Sequence, residues 1–257
     1  MIRAERSARL SAWLLLAGLS AAGSASAASE EIQVYLDDKE GPGQLSVDWH
    51  NNYVISGRST PLYAGEQPPN HVYRLTPELN IGLTDTLELG IYLLTTHSAE
   101  FGWTGDGAKV RLKYIAPHED EGPFWGLNLE VGDQALRVAP NPWNAQLKGI
   151  LGTHSGPWTL GLNLNADTPL NRGYGPTTAA LDVKVSHALN GKTQVGIESY
   201  NQLGPWTNLD SLSNNSKMLY AVVDTEIAGF DLNAGIGHGL NENSDRWVVK
   251  FILGTRF

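Results

Sequence analysis

Apolar and polar residues alternate along most of the chain with a period of two. Leu87, Leu89, Ile91 and Leu93 oppose Glu88, Gly90 and Tyr92, and Val110, Leu112 and Tyr114 oppose Lys109, Arg111 and Lys113. Trp125, Leu127, Leu129 and Val131 oppose Gly126, Asn128 and Glu130, and the rhythm returns at 158 to 164, 181 to 185 and 230 to 236. Side chains two apart share one face of a strand, whereas no segment shows the 3.6-residue period of a helix. The pattern predicts about twelve strands, near 44–55, 71–83, 86–95, 107–116, 124–132, 143–153, 157–166, 177–188, 192–200, 217–227, 230–237 and 246–257. Each has roughly the length a tilted strand needs to cross a bilayer.

The connections alternate as well. Short turns at 84–86, 155–157, 190–192 and 228–229 suit tight hairpins, and 116–123 is a longer turn on the same side. Between them lie longer stretches such as "SGRSTPLYAGEQPPN" and "NQLGPWTNLDSLSNNS". Short turns at one end, long loops at the other and an even strand count predict an all-β fold, an antiparallel transmembrane β-barrel of about 12 strands over 44–257. A soluble two-sheet sandwich would carry the same alternation, with its charged face solvated. The turn asymmetry, the leader described next and a last strand that runs to Phe257 select the barrel.

Residues 1–27 have Arg3, Arg6 and Arg9, then an apolar run from about 10 to 22, then Ala25-Ser26-Ala27, the layout of a cleaved secretory signal peptide. The run falls short of the roughly 20 apolar residues of a membrane anchor. Residues 28–43 read as a polar N-terminal segment on the periplasmic side, with both termini there. Without cysteine, the exported chain uses neither disulfides nor thiolate chemistry. The formal charge of −9 becomes −11 when the leader, net +2, is removed, which argues against a nucleic-acid partner.

The final strand, "WVVKFILGTRF", puts Trp247, Val249, Phe251, Leu253, Thr255 and Phe257 on one face. It resembles the C-terminal signature by which Gram-negative outer-membrane barrels are recognised by their assembly machinery. The segments "IQVYLDDKEGPGQLSVDWHNNY", "GEQPPNH", "DGAKVRLKYIAP" and "SDRWVVKFILG" resemble a group of largely uncharacterised proteobacterial outer-membrane proteins. More loosely, the chain is similar to transporter-like barrels associated with degradation of phenol by the meta pathway. The first resemblance implies residence in the cell outer membrane, contact with its lipid, and Phe257 as an assembly signal. The second implies little chemistry and no functional residues.

Within a barrel, Trp125, Trp158, Phe124 and Phe230 would form the periplasmic aromatic girdle, and Tyr53, Tyr73, Trp143 and Trp247 the outer one. The lumen would be lined by Arg74, Glu78, Glu88, Lys109, Arg111, Lys113, Glu130, Lys148, Asp182, Lys184, Glu198, Asp224, Glu226, Arg246 and Lys250, joined by Asp231 and Arg256. Neighbouring strands differ in sign, so these charges either line a narrow path for a small solute or pair across the lumen and plug it. A barrel of about twelve strands lies between the filled eight-stranded and the open sixteen-stranded cases. The expected function is a narrow channel or transporter, with a plugged structural or adhesive barrel acting through its loops as the alternative and a lipid hydrolase as the rival enzyme. No G-x-S-x-G elbow or H-E-x-x-H pair is present, and the seven histidines lack ligand spacing. His118-Glu119-Asp120 reads as a solvated acidic turn, and no metal or cofactor is expected.

Overall fold

A computed structural model describes residues 31–171, 175–209 and 215–257; the signal peptide lies outside the described residues. The strands are β1 (Leu45–Ser56), β2 (Tyr73–Gly82), β3 (Leu87–Ser98), β4 (Gly102–Ile115), β5 (Gly122–Gln134), β6 (Trp143–Ser155), β7 (Trp158–Pro169), β8 (Thr178–Ala188), β9 (Thr193–Pro205), β10 (Lys217–Ile227), β11 (Phe230–Gly239) and β12 (Trp247–Arg256). Each pairs antiparallel with its sequence neighbours, and β12 returns to β1, closing the barrel. The closing seam runs from Ser46 opposite Arg256, through Trp49 opposite Leu253, to Tyr53 opposite Val249. Closure leaves no sheet edge, which a bilayer requires because lipid cannot satisfy unpaired backbone groups.

The outer face is apolar from strand to strand. Leu93, Val110, Leu127, Leu129, Leu147, Leu164 and Ile197 all lie exposed on it. So much contiguous apolar surface would be driven out of water at about 25 cal/mol per Å², and the barrel therefore spans a membrane with this belt in lipid. Trp125, Trp158 and Phe230 are exposed beside the short turns, and Trp143 and Trp247 near the long loops.

Two features depart from the sequence reading. Phe124 is not in the girdle: it is buried on the inner face, between the rings of His118 and His154 at centroid distances of 5.9 and 5.0 Å. Adjacent strand residues point to opposite faces, so Trp125 facing lipid turns Phe124 inward. The β3–β4 connection is also tight, spanning only 99–101 on the long-loop side. A bulge explains the miss. The register shifts between Leu94 and Thr95, opposite Gly107 and Gly105, and Gly107 takes φ of 133°. The extra residue moves the inward set from Thr104 and Asp106 to Lys109, Arg111 and Lys113, which breaks the period-two signal at that point.

Candidate functional site: the occupied lumen

The lumen is not lined by strands alone. Residues 31–40, read from the sequence as periplasmic, run along the inside of the barrel before the turn at Gly41–Gln44 leads into β1. Ile32, Val34 and Tyr35 are buried there. The wall holds this segment by its backbone. Asn163 of β7 accepts from the Tyr35 N–H through Oδ1 at 2.7 Å and donates through Nδ2 to the Tyr35 carbonyl at 2.9 Å. Lys250 Nζ of β12 donates to the Ile32 carbonyl at 2.9 Å, Lys113 Nζ of β4 to the Asp38 carbonyl at 2.7 Å, and Glu88 of β3 accepts from the Glu40 N–H at 2.5 Å. A segment outside any sheet still has to satisfy its buried N–H and C=O groups, and wall side chains do so here.

Opposite-sign charges from β2, β3 and β4 converge under the segment. Arg111 Nε lies 2.5 Å from Glu78 Oε1, its Nη2 2.7 Å from Glu88 Oε1, and Lys113 Nζ 3.0 Å from the same Glu88 oxygen. These side chains are 2–3% exposed, so the group is dry rather than screened. Gly90 makes room for it, since a Cβ there would meet Arg111 Cγ and Glu78 Oε1, both at 2.6 Å. His50 Nε2 sits 3.0 Å from Glu78 Oε2. Across the lumen a second group forms: Glu198 Oε2 takes Lys250 Nζ at 2.5 Å, Glu198 Oε1 takes Lys184 Nζ at 3.2 Å, and Lys184 also reaches Asp224 at 2.9 Å.

The other inward charges are distributed along the axis. Arg74 and Lys148 are buried inside, Lys148 Nζ lying 4.0 Å from the centre of the Tyr35 ring. Lys109 approaches Glu130 at 3.7 Å, and Asp182 accepts from Asn165 Nδ2 at 2.6 Å. Glu226 pairs with Lys192 at the mouth near the short turns, where Arg256 bridges Glu40 and Asp231 at 3.1 and 3.2 Å. Arg246 is exposed just before β12 at the opposite rim.

Glu31, His50 and Glu78 each bring a ligand atom within 4.8 Å of the others, a spacing that could hold a metal ion. Yet the remaining Glu78 oxygen carries Arg111, and Glu31 Oε1 accepts the Tyr35 hydroxyl at 2.6 Å. The guanidinium already supplies the positive charge that a metal would bring.

The sequence reading missed a latch at the periplasmic end. Asp37 lies 2.8 Å from His118 Nε2 and 3.0 Å from His154 Nε2. His118 Nδ1 also donates to the Ala116 carbonyl at 2.9 Å. With both ring nitrogens facing acceptors, chiefly that carbonyl and then Asp37, the imidazolium is favoured and the His118 pKa is raised. The signal lay in Ile32, Val34, Tyr35 and Leu36, an apolar cluster out of place in a solvated segment.

Among the described residues, a cavity lies at each end. The periplasmic one, roughly 450 Å³, reaches Asn190, Lys192 and Arg256; the other, roughly 150 Å³, lies under the long loops by Arg58, Ser216 and Asp245. Gln33 lines both, so the segment through Gln33 is the partition between them.

The closed antiparallel wall is shared with known structures. The fold is that of outer-membrane channels. An outer-membrane channel from Pseudomonas putida F1 matches with a TM-score of 0.60 over 88% of this chain and 100% of its own, at 13% identity. The KdgM porin, solved in complex with disordered oligogalacturonate, matches with 0.53 over 82% and 98% at 9% identity. The NanC porin matches with 0.50 over 82% and 97% at 10% identity. No family model matches the chain, and neither does any curated sequence.

Proposed function

We propose that this protein is a narrow outer-membrane channel for small solutes, closed at rest by its own residues 31–40. The partition between the two cavities carries the reading. It is a non-strand segment, so it can leave the lumen without breaking a single ladder bond of the wall. The channels and porins that share the fold support it. The proposed partners are outer-membrane lipid, a small solute, and the assembly machinery that would read the aromatic end of β12; no catalytic role is proposed.

Single-channel recording in planar bilayers tests this. The native barrel should show small, infrequent openings. Gly161→Leu should lengthen them, because a Cβ at Gly161 would already lie 2.3 Å from Leu36 Cδ2 and 3.5 Å from Val34 Cγ1, and the larger side chain must push the segment off the wall. Asn163→Ala should act in the same direction by stranding the Tyr35 N–H and carbonyl. Silence from all three proteins would overturn the channel and favour the plugged structural barrel.

A further inference from the structure

The cavity walls carry more carboxylates than cations. Among the described residues, the cavity under the long loops is lined by six carboxylates against three cations, Arg58, Lys109 and Lys148. The periplasmic cavity has eight carboxylates against six cations. Both ends of the path therefore carry a negative excess, and low-dielectric walls focus such a field along the axis.

The outer cavity also combines carboxylates with an apolar wall. Asp182, held by Asn165, stands opposite Tyr200 in the β8–β9 register, and Asp245, which accepts from the Arg58 backbone N–H at 3.3 Å, lies just before Val248; Lys148 is near the first carboxylate and Arg58 and Arg74 near the second. Met218, Tyr220 and Val248 pack with Ile32 and Tyr200 into an apolar and aromatic wall between them. The rings there already accept an ammonium group, since Lys250 Nζ lies 5.8 and 5.7 Å from the centres of Tyr200 and Tyr220. Carboxylates beside tyrosines and aliphatic side chains are the chemistry that recognises an ammonium ion with an apolar body. A water takes about 10 to 15 Å³ of such volume, so roughly 150 Å³ accommodates on the order of ten heavy atoms.

We infer that the channel selects cations and that its outer cavity takes a small organic ammonium ion. This rests on the channel reading and departs from the KdgM porin, whose complex contains an anionic oligogalacturonate. The shared fold does not extend to the charge of the solute.

Benzylammonium and benzoate, of nearly equal size and opposite charge, are the probes. At about pH 8, reversal potentials under a salt gradient should show K⁺ favoured over Cl⁻, and benzylammonium should permeate roughly tenfold better than benzoate. In the double variant Glu242→Gln, Asp245→Asn at the outer rim, the preference should fall by roughly threefold. Equal or anion-favouring permeation would overturn the inference and leave the channel intact. If the bilayers stay silent, calorimetric titration of the folded barrel in detergent decides instead. Binding of benzylammonium but not benzoate, weakened in the double variant, upholds the ammonium site without a channel, and equal or absent binding overturns it.

Discussion

Arg111 shows how one residue reports on the state of the lumen. Its guanidinium joins Glu78 of β2 to Glu88 of β3, with 2% of the side chain exposed. An exposed pair of this kind contributes about 0 to 1 kcal/mol. Removing one partner of a buried group leaves an uncompensated charge, which costs about 3 to 5 kcal/mol. Arg111→Ala should therefore lower stability by about 3 to 5 kcal/mol in urea unfolding of the folded barrel. A loss below about 1 kcal/mol would show that water reaches Glu78 and Glu88 and that the lumen is wetter than the packing indicates.

The segment 31–40 behaves as an element without secondary structure of its own, and its hold on the barrel depends on pH at one end. His118 has a raised pKa, owing first to the Ala116 carbonyl and then to Asp37, with Asp120 adding to the field. A raised pKa means that protonated His118 contributes its full stabilisation below the ordinary histidine value of about 6.5, and that this is lost as pH rises through the folded value. The latch should weaken on the alkaline side. Amide hydrogen exchange at Tyr35 and Glu40, whose N–H groups donate to Asn163 and Glu88, corrected for intrinsic rates, should lose protection as pH rises from about 6.5 into the alkaline range. Asp37→Asn should remove the dependence while leaving the strands protected. Equal protection across that range in the native protein would mean that the Asp37 contacts do not hold the segment.

For the whole molecule, closure depends on the seam between β1 and β12. The Phe257 N–H donates to the Leu45 carbonyl at 2.9 Å, just beyond the Ser46–Arg256 pair, and its ring is 80% exposed on the outside. Loss of Phe257 removes the last bond of the seam and the aromatic that, on the proposed assembly role, the machinery reads. Deleting Phe257 should reduce heat-modifiable folded barrel in outer-membrane fractions several-fold more than deleting Ser59, which is exposed in the loop between β1 and β2. Equal recovery of the two deletion proteins would remove Phe257 from assembly.

Period-two alternation specified which side chains share a face, because successive Cβ atoms in a strand point to opposite sides whatever the partner strand is. Thus the neighbours of Leu127 and Leu129 had to face away from lipid, and the lengths of the turns fixed which strands were neighbours. The bulge at Gly105–Gly107 escaped because one inserted residue inverts the phase. Phe124 has the aromatic character of a girdle residue, but its parity with Trp125 places it inside. What fills the lumen could not be read along the chain. Asn163 and Tyr35 are 128 residues apart, Asp37 and His154 are 117 apart, and Lys250 and Ile32 are 218 apart. Alternation is a local property of a strand, carried by the sequence alone. Whether ionic groups pair across a dry interior or line a wet one depends on which distant segments meet there, and only the closed barrel with residues 31–40 inside it decides that.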